Sequence, residues 1–366
     1  MVVGIVGGGQ LARMMALAGY PLGLGFVVLD PNEDPCAAQV APHIQGAFDD
    51  PSLLDALAGR ADVITYDLEH WPIAAAEALR HRVPVYPPVE ALAVAQDRLA
   101  EKRLFRHLGI PTPTFAPVAS RPELEAAVAV VGLPAILKTR FHGYDGKGQR
   151  RLHAAADIPL AWEALGGVPL ILEAMVPFDG EVSCIAVAGG GGERRFYPVT
   201  ANRHRNGILH ASTAPLEDPA PEAEALTWTA QLLDHWAYVG VLTVEYFVCN
   251  GRLLANEVAP RVHNSGHWTL EGAATSQFEN HLRAIMGWPL GSTAGLGGCA
   301  MVNLIGRAPR VEGLLAIDGH LHLYGKAPRP LRKLGHLTAL ARPGQTPEVL
   351  LAHLEQQLAR VDLETP

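Results

Sequence analysis

The sequence predicts a parallel α/β unit at its N-terminal end, a larger α+β domain in the middle and a small β-rich unit after it. Three observations carry this prediction. Short apolar strands alternate with helix-length segments as far as Gln96, the pattern turns β-rich from Ala135, and a glycine-rich stretch after Pro289 interrupts it. The chain has 366 residues, 49% of them hydrophobic and 18% charged. A single hydrophobic core stops growing near roughly 250–300 residues, so more than one core is expected.

In chain order, Val2–Val6, Phe26–Leu29, Val63–Tyr66 and Val83–Tyr86 read as strands with helix-length segments between them, the mark of a parallel sheet. Pro87 and Pro88 follow the fourth. Gln96 to Leu108 reads as an amphipathic helix with Leu99, Phe105 and Leu108 on its apolar face, ended by Pro111 and Pro113. Strands are then expected at Ala135–Lys138, Leu170–Glu173, Glu181–Ala188, Arg195–Val199, Gly240–Val248 and Leu253–Val258. Gly291–Gly298 makes a linker, followed by short strands at Met301–Ile305, His320–Tyr324 and His336–Leu340 and a solvated helix from Glu348 to Glu364. The expected boundaries are 1–96, 97–290 with a lid subdomain at about 112–175, and 291–366.

A net charge of −8 argues against a nucleic-acid partner, which needs clustered Lys and Arg. The longest apolar run, Ala126 to Leu137, is broken by Gly132 and Pro134 and falls short of the ~20 residues a membrane span requires. The glycine-rich start carries no signal-peptide pattern, so the cytoplasm is expected. Cys36, Cys184, Cys249 and Cys299 stand far apart and read as buried thiols. The histidines show no metalloprotease spacing.

Five segments offer chemistry. Gly4-Ile-Val-Gly-Gly-Gly-Gln10 follows a strand and opens a helix, so its N–H groups are placed to meet an anion, with Asp30 as a ribose acceptor; the alternative is that the glycines only permit tight packing. Lys138 precedes His142-Gly-Tyr-Asp-Gly-Lys-Gly-Gln149, where small residues let the backbone fold over phosphates while Lys138 and Lys147 supply charge. Glu245 and Glu257 flank Asn250-Gly251, a hairpin signal, and together with Asn256 suit Mg²⁺. A two-residue turn would pair Glu245 with Asn256 and put the glutamates on opposite faces. A three-residue loop of Cys249, Asn250 and Gly251, pairing Val248 with Arg252, is therefore expected. The polar run Ala259-Pro-Arg-Val-His-Asn-Ser-Gly-His-Trp268 has no apolar period; Arg261 offers a planar fork, and His263 and His267 offer groups that titrate near neutrality. Lys326, Arg332 and Lys333 add cations suited to a ribose phosphate.

Together these segments resemble the 5-(carboxyamino)imidazole ribonucleotide synthase family over nearly the whole chain, most specifically in residues 259–268. The matching stretches are Gly7–Arg13, Gln96–Phe105, Lys138–Gln149, Glu173, Glu181, Asn202–His204, Asn256–Trp268, Ser276–Arg283 and Arg332–His336. The resemblance implies an ATP-grasp fold with a Rossmann-like pre-ATP-grasp domain in front and a small β-rich C-terminal domain. It implies ATP at Arg98, Lys138, Gly143, Tyr144, Asp145, Gly146, Lys147, Gly148, Gln149, Glu173, Ala174, Met175, Val176, Glu181, His204, Asn256 and Glu257, and Mg²⁺ at Glu245 and Glu257. The ribonucleotide pocket it implies is Gln10, Leu11, Tyr144, Arg261, His263, Asn264, Lys326, Arg332 and Lys333, with Arg261, His263 and Lys333 catalytic. Bicarbonate as co-substrate, a homodimer and delivery of the product to a mutase follow from the same resemblance. Two positions depart from the family's common pattern: His142-Gly143 stands for Gly-Gly, and Glu69-His70 stands where an Asn follows the acidic strand end. The rival readings are another ATP-grasp ligase, a nicotinamide dehydrogenase built on Gly4–Gln10, and a non-catalytic nucleotide-binding module.

Overall fold

The computed structural model describes residues 1–141, 143 and 148–364. Strands β1 (Val2–Val6), β2 (Gly25–Asp30), β3 (His43–Gln45) and β4 (Val63–Tyr66) form a parallel sheet in the order β3-β2-β1-β4. Helices α1 (Gln10–Gly19), α2 (Pro51–Ala58), α3 (Ile73–Arg80) and α4 (Val89–Ala95) accompany it. The strands are apolar almost throughout because both faces are covered. Val3, Ile5 and Val28 share a core with α1, whereas Val6, Leu29 and Ile64 share one with α2 and α3.

The expected strand at Val83–Tyr86 is corrected to a single bridge between Ile64 and Val85. The N–H groups that would extend the ladder on either side of Tyr86 N belong to positions 84 and 88, and both are proline, so it cannot run on. Strand β3, short and polar at His43 and Gln45, gave no signal in the sequence.

Helix α5 (Arg98–His107) begins at Asp97, whose side chain accepts from Leu99 N, and fulfils the amphipathic reading. A second, antiparallel sheet follows: β5 (Phe115–Val118), β6 (Ala135–Thr139), β7 (Gln149–Leu152) and β8 (Leu170–Ala174), in the order β5-β8-β6-β7, with α6 (Arg121–Val131) and α7 (Ile158–Leu165) packed on one face.

The large sheet has nine strands among the described residues. These are β9 (Gly180–Ala188), β10 (Arg194–Phe196), β11 (Thr200–Arg205), β12 (Ile208–Ala214), β13 (Gly240–Cys249), β14 (Arg252–Ala259), β15 (Cys299–Ile305), β16 (His320–Leu323) and β17 (Lys333–Leu340). Its order is β14-β13-β9-β11-β12-β15-β17-β16, with β10 beside β9. The three strands expected after the linker are present, and they extend this sheet through β12 and β15. Helices α8 (Glu222–His235), α9 (Thr269–Gly272), α10 (Gln277–Ile285), α11 (Val311–Leu315) and α12 (Pro347–Glu364) cover it. No helix among the described residues is long and apolar enough to cross a membrane. Cys36, Cys184 and Cys299 are buried thiols as expected, but Cys249 beside the hairpin turn is only half-buried.

Candidate functional site

The β13–β14 hairpin organises the site, and its turn corrects the sequence reading. Cys249 pairs with Arg252, so the loop is the two-residue Asn250-Gly251, both at positive φ. Such a turn matches the twist of the strands it joins. Parity is restored further along. The register slips between Glu245 and Tyr246, leaving Asn256 as the extra residue of a β-bulge and pairing Glu245 with Glu257. The two carboxylates therefore stand opposite one another, as a shared cation requires, for a different reason than the one expected.

Burial and the neighbouring Glu257 charge raise the Glu245 carboxyl to about 7, against the pull of His204 and Lys333. Arg98, opening α5, donates to Glu257 at 3.5 Å and to the Gly143 carbonyl at 2.8 Å. His204 on β11 sits 2.8 Å from Glu181 on β9. Burial opposes its charge, but Glu181, Glu245 and Glu257 raise its pKa above the ordinary histidine value.

Next to this acidic centre, the second sheet and β13 enclose a cavity of about 210 Å³. Lys138, Glu173, Ala174, Met175 and Val176 line it, joined by Phe178 and Phe247, whose rings stack 4.9 Å apart. A flat base fits such a slot, which is apolar with one charged end. At that end Lys138 Nζ donates to Glu173 Oε2 at 2.9 Å. Burial alone would raise the Glu173 carboxyl, yet Lys138 and Lys102 hold it at about 2. Phe178 and Phe247 were not anticipated, although Phe247 lies two residues from Glu245 and so shares its face.

The run 259–268 divides. Arg261 pairs with Glu69 at 2.9 Å, giving that unusual glutamate a partner. His263 Nδ1 accepts from Ser265 N at 3.2 Å, so the neutral ring carries its proton on Nε2, 3.6 Å from Glu245. Burial, with Arg261 and Lys333 nearby, drives the His263 pKa well below its usual value. Asn264 leaves the expected pocket: its amide is used up inside the protein on His267 and Asn303. Leu11 likewise sends its side chain into the core under α1.

Gln10 does reach the C-terminal segment, accepting a hydrogen bond from Lys326. Burial, and Arg332 and Lys333 close by, lower the Lys326 pKa. The glycine turn itself cannot take a dinucleotide. Asp30 accepts from Gly8 N at 2.8 Å and Asp67 from Ala12 N at 3.3 Å, so two carboxylates already occupy the start of α1. Asp30 is thereby spent on the backbone and not on a ribose. Gly148 and Gln149 close the β6–β7 pair, Gln149 opposite Lys138; His142, Tyr144, Asp145, Gly146 and Lys147 lie outside the described residues.

The arrangement can bind a nucleotide in the apolar slot, hold a divalent cation between two carboxylates and receive a phosphorylated ligand beside Gln10 and Lys326. Comparison with known proteins gives the family. Residues 1–96 match the ribonucleotide synthetase preATP-grasp domain, 103–278 the ATP-grasp domain and 299–346 the phosphoribosylaminoimidazole carboxylase C-terminal domain. The N5-carboxyaminoimidazole ribonucleotide synthase of Pseudomonas aeruginosa is 51% identical over 97% of this chain and 99% of its own, and that of Brucella melitensis 44% identical over 92% and 96%. The crystal structure of the Thermus thermophilus synthetase superposes with a TM-score of 0.91 at 51% identity, covering 98% of this chain and 97% of that one. The Aspergillus clavatus synthase, solved with ADP and 5-aminoimidazole ribonucleotide, gives 0.89 at 30% identity over 99% and 98%. The chain belongs to the N5-carboxyaminoimidazole ribonucleotide synthase family of ATP-grasp ligases.

Proposed function

We propose that this protein carboxylates the exocyclic amine of 5-aminoimidazole ribonucleotide, using ATP and bicarbonate, for purine synthesis. The observation that supports it best is the Glu245–Glu257 pair, which lies within electrostatic reach of both His204 on the nucleotide side and Lys333 on the ribonucleotide side. Two carboxylates facing each other, Glu245 largely enclosed and Glu257 partly open to solvent, have the charge and the oxygen donors that Mg²⁺ takes. Glu245 and Glu257 would hold that ion, which when bound neutralises charge on the transferring phosphoryl group.

The protein's own groups do the rest. The cavity at Met175 and Phe247 holds the base, and Lys138 faces the phosphates. Attack of a bicarbonate oxygen on the γ-phosphorus releases ADP and forms carboxyphosphate, a step that needs positioning and charge neutralisation more than covalent help. Lys326, Arg332 and Arg261 orient the ribonucleotide so that its amine meets the carboxyl carbon, and phosphate leaves. His263, neutral with its proton on Nε2, is a donor here and not a base. The amine proton therefore passes to the departing phosphate. A homodimer, a cytoplasmic location and hand-over to a mutase complete the proposal.

Omission of single components tests it. Purified protein with Mg²⁺–ATP and bicarbonate releases ADP only when 5-aminoimidazole ribonucleotide is present, and its carboxylated product accumulates. ADP release indifferent to the aminoimidazole would return the protein to an ATP-grasp ligase with another acceptor.

A further inference from the structure

Without the Asn256 bulge, Glu245 and Glu257 would face opposite sides of the hairpin. β14 is the edge strand of its sheet, so backbone groups there need partners from outside the ladder. Helix α5 supplies them. Lys102, only 1% exposed, donates from Nζ to the Ala255 carbonyl at 3.2 Å and to the Asn256 carbonyl, the two peptide oxygens of the bulge. Thr112 Oγ1 donates to the same Ala255 oxygen at 2.8 Å, and Ala255 N donates to Pro111 O at 2.7 Å. One residue earlier, Glu101 accepts from Val258 N at 2.6 Å. The bulge is thus bracketed on both sides of Glu257.

The third direction of the Lys102 ammonium meets Glu173 Oε2 at 3.9 Å, the oxygen that Lys138 also holds. Two N–H groups of Lys102 are committed to the bulge carbonyls and its charge is paired with Glu173, so the enclosed ammonium is turned to the protein and not to a ligand. Lysine is almost never buried this fully without such partners.

We infer that Lys102 is a positioning residue that locks the Asn256 bulge, holding Glu257 opposite Glu245 and tying that carboxylate pair to the Lys138–Glu173 end of the nucleotide cavity. The inference rests on the reading of Glu245 and Glu257 as the magnesium carboxylates.

Mn²⁺ binding in the presence of saturating ADP, followed by electron paramagnetic resonance of the free ion, tests it alongside ADP affinity measured without divalent metal. Lys102→Met is expected to weaken Mn²⁺ binding about tenfold, the usual scale for groups that orient metal ligands. Metal-free ADP affinity should stay within about twofold, and Lys102→Arg should recover part of the loss. Thr112→Val, a milder cut in the same bracket, should weaken Mn²⁺ about threefold through one lost hydrogen bond. A folded Lys102→Met protein that binds Mn²⁺ like the wild type overturns the inference, as does an equal loss of ADP affinity with and without metal. Should Lys102→Met prove insoluble, unchanged Mn²⁺ binding by Thr112→Val overturns it instead. Glu257→Gln separates the underlying reading: wild-type Mn²⁺ affinity in that variant means the two glutamates are not the metal ligands.

Discussion

Lys138 both pairs with Glu173 and lines the cavity proposed for the nucleotide, and removing it should separate the two roles. Glu173 is buried, with Lys138 2.9 Å and Lys102 3.9 Å from one oxygen, while its other oxygen has no hydrogen-bond partner among the described residues. A carboxyl held at about 2 instead of its ordinary 4.5 corresponds to about 3 kcal/mol of stabilisation of the charged form. Because the folded-state value is depressed, that stability is present above the unfolded pKa and is lost as pH falls from about 4.5 through about 2. Lys138→Met should therefore destabilise the metal-free, nucleotide-free protein by roughly 2–3 kcal/mol, below the 3–5 kcal/mol typical of breaking a buried pair because Lys102 remains. The double variant Lys138→Met/Glu173→Gln removes the stranded charge and should regain most of the melting temperature, yet its KM for ATP should stay raised. Melting curves paired with coupled ADP-release kinetics read both quantities. A single variant that melts like the wild type refutes the electrostatic reasoning, and a double variant with normal KM refutes the phosphate role.

Three shorter expectations follow from the same geometry. Gly7 sits at φ +93°, where an added methyl would strike Asp67 Oδ1, so Gly7→Ala should cost at least about 2 kcal/mol and lower the melting temperature; an unchanged melt would mean the turn tolerates a side chain. Glu245 titrates at about 7, so below neutrality each bound cation must displace a proton, and apparent Mn²⁺ affinity should fall about tenfold per pH unit there and level off above; a flat profile would count against Glu245 as a ligand. The same raised value stabilises the metal-free fold below the ordinary carboxyl range and ceases to do so as pH rises through about 7. Arg261→Lys loses the planar fork that Glu69 now occupies and should raise KM for the ribonucleotide about tenfold with a smaller effect on kcat; a kcat effect alone would place Arg261 in chemistry and not in binding.

The parallel sheet, the α5 helix and most strands of the large sheet were legible because apolar runs of the right length, bounded by glycine and proline, report burial directly. Short polar strands such as His43–Gln45 were not, since three residues carry no period. Lys138, Glu245 and Glu257 were singled out by type and spacing, and Glu173 only by the family resemblance; the fold brings Lys138 beside Glu173 and Glu245 opposite Glu257. Asn264 could not be placed that way, because only the fold reveals that Asn303, far along the chain, absorbs its amide. Asp30 failed as a ribose acceptor for a similar reason: sequence shows a carboxylate at a strand end but not the Gly8 N–H that consumes it.

The hairpin shows where such reading stops. Turn chemistry and the need for two carboxylates on one face gave contradictory registers, and the sequence offered a longer loop as the simplest reconciliation. The protein keeps the preferred Asn250-Gly251 turn and shifts the register six residues away, at Asn256. A bulge has no composition of its own; it is favoured when something outside the ladder satisfies the freed carbonyls. That something stands on α5, where Arg98, Glu101 and Lys102 fall at i, i+3 and i+4 on one helix face. The polar stripe was visible beside the apolar one formed by Leu99, Phe105 and Leu108. Its meaning required knowing that α5 lies along the edge strand, a long-range fact that no local pattern in either segment encodes.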